Sequence, residues 1–121
     1  MWNFRKLDVW KRALDLAENV YRVVDKFPAK ENYALSGQLR RAVISISSNI
    51  AEGCGRRTSK DFVGFLHIAM GSTKEVESQL LVAERLGYLK SDKVENLIKE
   101  LDGIGKMLNG LMGHVSGLGI K

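Results

Sequence analysis

The chain has 121 residues, 45% apolar and 27% charged, with one proline, one cysteine and a formal net charge of +5. That length holds one core and excludes two, and a lone Cys54 excludes an intrachain disulfide and points to a reducing compartment. The opening MWNFRKLDVWKR lacks an apolar run of signal-peptide length, and the longest uncharged run, Met107 to Ile120, carries four glycines, Asn109 and His114, so no membrane segment and a cytoplasmic location are expected.

The first helix is predicted over about 7–27. Its stripe is Trp10, Ala13, Leu14, Ala17, Val20, Tyr21 and Val24, the spacing of a half-buried helix. Pro28 stops it, because the residue before a proline resists helical backbone. The second helix is expected over 32–53, ended by Gly53 and Gly55 in left-handed cap geometry. The third, 59–86, opens on Thr58 and Asp61 at capping-box spacing and stops at Gly87. At nearly 30 residues it spans about 42 Å, so the bundle is elongated. The fourth, 91–115, starts at Ser91 with Asp92 and Glu95 complementing the dipole, and carries Val94, Leu97, Leu101, Ile104, Leu108 and Val115. Six of 12 glycines fall in 103–119, each costing about 1 kcal/mol of helix stability. Gly103, Gly110 and Gly117 share one face and allow close approach of a neighbouring helix. Past Met112 a fraying end is the expectation, with 116–121 as a tail. Four amphipathic helices on short loops give one all-α domain over 1–121, an antiparallel up-down-up-down four-helix bundle.

The second helix carries two stripes. Leu35, Leu39, Ala42, Val43, Ile46 and Ile50 are apolar; Gln38, Arg41, Ser45, Ser48, Asn49 and Glu52 are short or charged. An ordinary surface helix is covered outside with Lys and Glu. Arg41 and Glu52 stand about 16 Å apart along the helix and cannot pair there. Each needs a partner from another helix, another subunit or a ligand. For Arg41 an intramolecular pair, for example with Glu75, is the simplest account.

Charge is uneven. Residues 1–60 hold 12 Lys and Arg against 6 Asp and Glu; residues 61–121 hold 7 against 8. Arg40 and Arg41, with Arg56, Arg57 and Lys60, bracket the second helix and its exit loop, and Lys11 lies on the first. Guanidinium forks match phosphate geometry, so Arg40, Arg56, Arg57, Lys60 and Lys11 are candidates for nucleic-acid contact; for Arg56, Arg57 and Lys60 a solvated loop is the equal alternative. Trp2, Phe4 and Tyr33 sit near helix ends, where aromatics more often cover a bundle than stack on bases. No enzyme constellation is present. His67, half-buried beside Leu66, and His114 lie on different helices, Cys54 has no second Cys or His at zinc spacing, and the GCGRR segment lacks a phosphate-loop pattern. The ISISSN serines have no nearby histidine and bond backbone or pack between helices. No metal and no cofactor are expected.

Several segments occur together here: F-R-K-L-D-V-W at 4–10, A-L-D-L-A-E-N-V-Y ending at Tyr21, Q-L-R-R-A at 38–42, S-S-N-I-A-E-G at 47–53, G-R-R-T-S-K-D-F at 55–62 and L-x-x-A-E-R-L-G-Y-L at 80–89. With them the chain resembles, up to about Leu101, the four-helix-bundle family of 23S rRNA intervening-sequence proteins, which includes the accessory variability determinant of diversity-generating retroelements. The resemblance implies a compact antiparallel bundle, assembly into a ring-shaped homopentamer, no enzymatic reaction, and association with RNA or with a protein such as a reverse transcriptase through a basic surface. On it, Gln38, Arg41, Ser45, Asn49 and Glu52 are expected to serve helix or subunit packing. Two functions fit these features: RNA association through phosphate contacts, and a scaffold that docks a partner protein such as a ribosome-associated factor.

Overall fold

Local chemistry sets most helix ends. The structure, a computed structural model, describes residues 2–119. The Asn3 side chain accepts from the Arg5 amide and caps a 3₁₀ turn, Phe4–Lys6, that leads into α1 (Asp8–Val24). Lys26 and Phe27 donate to Val23 and Val24, winding the chain tightly ahead of Pro28, so α1 ends three residues earlier than expected. A 3₁₀ turn at Ala29–Glu31 and a further turn over 32–34 come first, so the second helix starts three residues later than the expected 32. There the Glu31 carboxylate accepts from the Leu35 amide at 3.4 Å and α2 begins (Leu35–Cys54). Thr58 Oγ1 accepts from the Asp61 amide at 3.1 Å and starts α3 (Ser59–Arg85). Gly87, with φ 82°, lets Tyr88 donate to the Ala83 carbonyl and Gly87 to that of Glu84, the double bond of a Schellman stop. α4 follows (Ser91–Gly119).

The helices are antiparallel in pairs. Gln38 meets Gln79 and Ser45 meets Ser72, so α2 and α3 run oppositely; Arg12 meets Met107 and Asn19 meets Glu100, so α1 and α4 do too. Each helix packs on its chain neighbours, and α1 with α4 closes the four-helix bundle. The core is built from Leu16, Val20, Leu39, Ile46, Ile50, Leu66, Leu80, Leu97 and Leu108, drawn from all four helices.

The packing differs from expectation at several points. In α1 the buried edge runs through Val9, Leu16 and Val23, while Leu14 and Tyr21 are exposed. Apolar residues cover more than half of that helix, and the positions of α2 and α4 select which edge is buried. Gly53 does not end α2. It lies inside the helix, where an added Cβ would stand 2.8 Å from Phe62 Cδ1 and 3.0 Å from Phe65 Cβ, and Gly55 caps with ordinary right-handed backbone (φ −89°). The C-terminal helix does not fray at 112–115: it continues to Gly119, Met112 and Val115 are buried, and the His114 ring packs edge-on against Trp2 at 5.7 Å. The expected tail is helical over 116–119; 120–121 lie outside the described residues. Of the heptad glycines, Gly103 alone has a close neighbour, the Arg12 guanidinium 3.1 Å from where a Cβ would stand.

Candidate nucleic-acid interface

The antiparallel order brings the α2–α3 loop to the end of the bundle where α1 begins. Arg56, Arg57 and Lys60 are exposed there, and Lys11 is exposed in the first turn of α1. Arg56 is partly engaged. Its guanidinium carbon sits 4.5 Å above the Phe65 ring and its Nη2 is 3.7 Å from Glu52. Arg57, Lys60 and Lys11 form no ion pair among the described residues. Arg40 is not part of this group. It lies in the half of α2 nearer the other end, with Nη2 4.0 Å from Asp25.

The polar stripe of α2 resolves into different roles. Ser45 and Ser72 share a hydrogen bond at 2.9 Å, and Asn49 Nδ2 donates to the Ser45 carbonyl (2.7 Å) and hydroxyl (2.9 Å). Gln79 Nε2 donates to Gln38 Oε1 at 3.4 Å. These three α2 residues therefore meet α3 or their own helix within one chain. Glu52 finds its partner one turn onward, in Arg56. Arg41 does not pair with Glu75, whose carboxylate accepts from Gln79 instead. Its guanidinium lies back along α2, with Nη1 3.8 Å from where a Gly37 Cβ would stand, and it is exposed. Ser47 Oγ donates to the Ile44 carbonyl at 3.2 Å, the backbone bonding expected of this serine run.

Aromatic groups at this end are structural. Trp2 contacts Phe62 edge-on at 5.6 Å and Phe4 contacts Trp10 at 5.0 Å, covering the bundle. Tyr33, at the other end, is fully exposed. His67 is exposed rather than half-buried. Cys54 is buried, and burial raises its thiol pKa. Among the described residues no group of three or more His, Cys, Asp or Glu could hold a metal ion, and no helix is long and apolar enough to cross a membrane.

A second group of cations was not evident in the sequence. Arg22 and Lys26 in and just beyond the last turn of α1 and Lys93 in the first turn of α4 border one cleft with Asn19, Val23, Tyr88 and Leu89. Spacing on α1 aligns Arg22 with Lys26, but Lys93 is distant along the chain and only the α1–α4 contact brings it there.

No curated protein sequence matches the chain. The chain is similar in fold to a crystal structure of a protein of unknown function from the S23 ribosomal protein family of Bacteroides thetaiotaomicron. Identity is 24%, the TM-score is 0.76, and the match covers 86% of this chain and 97% of the other. A family model described as 23S rRNA-intervening sequence protein matches residues 5–110. With four antiparallel helices and a match that spans all of α1 to α3 and most of α4, the chain belongs to the 23S rRNA-intervening sequence protein family.

Proposed function

We propose that the protein is a non-enzymatic, cytoplasmic homo-oligomer that associates with RNA by contacting phosphates through Arg56, Arg57, Lys60 and Lys11. The observation that carries the reading is the exposed loop at 55–58 with the turn that follows. It presents three cations at the end of the bundle that also carries Lys11, and Glu52 is the one carboxylate seated against any of them among the described residues. Arg57 and Lys60 have unengaged donors for phosphate oxygens, and Arg56 keeps guanidinium N–H groups beyond those facing Glu52. The family's description as an rRNA-intervening sequence protein supports a link to RNA.

Self-association has its own support. Ile68, Val82 and Leu86 fall on one side of α3 by spacing. They are exposed, as are Leu81 beside them and Ile44 on α2. Large apolar groups left in water on neighbouring helices support an interface there. Several copies would multiply weak phosphate contacts into a higher avidity, and a ring of five, as the family resemblance implies, is the assembly proposed. The same apolar side supports a second reading, a scaffold on which a partner protein docks; in that case purified protein stays monomeric.

The test is fluorescence anisotropy on a structured RNA hairpin across a salt series. Affinity is expected to fall steeply from roughly 50 to 200 mM salt, and Arg57→Gln/Lys60→Gln should flatten the log–log slope by roughly 0.7–0.9 per lost contact. An affinity that does not change with salt, or a double variant with the original slope, overturns the phosphate reading.

A further inference from the structure

The cleft between the end of α1 and the start of α4 lies at the pole opposite Arg57 and Lys60. Its volume is about 470 Å³, within the range of small-molecule sites. Its rim is Arg22, Lys26 and Lys93, and no carboxylate lines it. Of the acids nearby, Glu18 pairs with Arg22, Glu100 accepts from Asn19, Glu31 accepts from the Tyr88 hydroxyl at 2.8 Å, Asp25 faces Arg40 at 4.0 Å, and Asp92 accepts from the Lys93 amide. Lys26 and Lys93 form no ion pair among the described residues, and Arg22 retains donors beyond those facing Glu18. The inner wall is apolar: Val23, Leu89 and the Tyr88 ring. Tyr88 is fixed at both ends, by Glu31 at its hydroxyl and by Phe27, whose ring lies 5.3 Å away.

We propose that this cleft binds a nucleoside monophosphate unit, its phosphate among Arg22, Lys26 and Lys93 and its base against Tyr88 and Leu89. Three cations around an apolar wall match a ligand with a charged group on a flat body. Inorganic phosphate would leave the wall uncovered, and an uncharged nucleoside would leave the cations unpaired. The Asn19 amide nitrogen is turned to Glu100 at 3.4 Å, which leaves its carbonyl oxygen to accept from a ribose hydroxyl or a base amine. The site is independent of the α2–α3 loop, so it stands or falls apart from the RNA-backbone reading.

The probe is adenosine monophosphate titrated into the full chain, followed by amide NMR shifts and calorimetry. Saturable shifts at Tyr88, Leu89 and Lys93 are expected. Adenosine and inorganic phosphate should each bind at least about tenfold more weakly. Lys26→Gln/Lys93→Gln should weaken the nucleotide at least about tenfold, the scale set by lost charge-assisted hydrogen bonds. Both lysines are exposed, so the melting temperature should not move; Arg57→Gln/Lys60→Gln should bind the nucleotide as the original chain does. A short RNA with a 5′-phosphate, compared with its 5′-hydroxyl form, separates the sources of the ligand. A preference for the phosphorylated end assigns the site to an RNA terminus. Tighter binding of the free nucleotide assigns it to a small molecule, and each result supports the cleft. Inorganic phosphate binding as tightly as the nucleotide, an unchanged affinity in the Lys26/Lys93 variant, or shifts confined to the α2–α3 loop overturns the proposal.

Discussion

The hydroxyls of Ser45 and Ser72 lie 2.9 Å apart across the α2–α3 contact, with Asn49 donating to Ser45 from one turn away. Ser72 is buried, so the pair is a polar link between two helices that otherwise share, by side-chain hydrogen bond, the Gln38–Gln79 contact nearer the other end. Ser45→Ala leaves Ser72 without its side-chain partner and should cost about 1–3 kcal/mol, seen as a melting temperature lower by several degrees. Ser45→Ala/Ser72→Ala should recover part of that loss, because no buried hydroxyl then lacks its partner. Equal stability of Ser45→Ala and the original chain would show that the link contributes nothing.

Two glycines in helices should respond oppositely to alanine. At Gly53 the new methyl would press on Phe62 and Phe65, and denaturant unfolding should report a net loss of about 1–3 kcal/mol despite the better helix propensity. At Gly110 nothing lies within 4 Å, so alanine should raise stability by up to about 1 kcal/mol.

The Tyr88 hydroxyl donates to Glu31, which holds its pKa above the ordinary tyrosine value; burial adds to the rise. A folded-state pKa raised above the unfolded one gives stability that is intact below the unfolded value, near 10, and is lost as pH climbs through the folded value. Thermal melts of the original chain should therefore fall more steeply above about pH 10 than those of Tyr88→Phe. Parallel curves for the two would remove Glu31 as the cause.

Burial raises the Cys54 thiol, so the thiolate is scarce in the folded state. Iodoacetamide should label it slowly at pH 8 in the native protein and rapidly in denaturant. Fast native labelling would mean that the end of α2 opens.

Leu81→Glu/Val82→Glu replaces two exposed apolar groups on α3. Chain stability should shift by less than about 0.5 kcal/mol per site, while the light-scattering mass should drop toward the 13.5 kDa of one chain. A variant with the same mass as the original chain would overturn α3 as the proposed subunit contact.

The readable parts of the sequence were those whose physics is local. Thr58 with Asp61 and Gly87 after Leu86 each mark a helix end by chemistry confined to a few neighbours, and the structure uses both, whereas α1 stops at Val24, ahead of the end that Pro28 marked. Gly53 misled because a glycine near a helix end can mean either a left-handed cap or a close approach, and Phe62 and Phe65 decide between them. Leu14 and Val9 are equally apolar, so no periodicity could tell which of them faces the core. In the candidate interface, the loop position of Arg56 and Arg57, with Lys60 in the first turn of the third helix, was legible. That Arg56 leans on Phe65 and Glu52, and that Arg40 stands apart beside Asp25, was not.

By itself the sequence determined four helices, their order, and a basic first half, because helix period, caps and charge are properties of short stretches of chain. Only the tertiary structure decided which edge of α1 is buried, that the α2 stripe closes on Ser72 and Gln79 of the same chain, and that Lys93 joins Arg22 and Lys26 around one cleft. Those relationships join residues dozens of positions apart, and distance in space is set by how helices pack rather than by what any one of them contains.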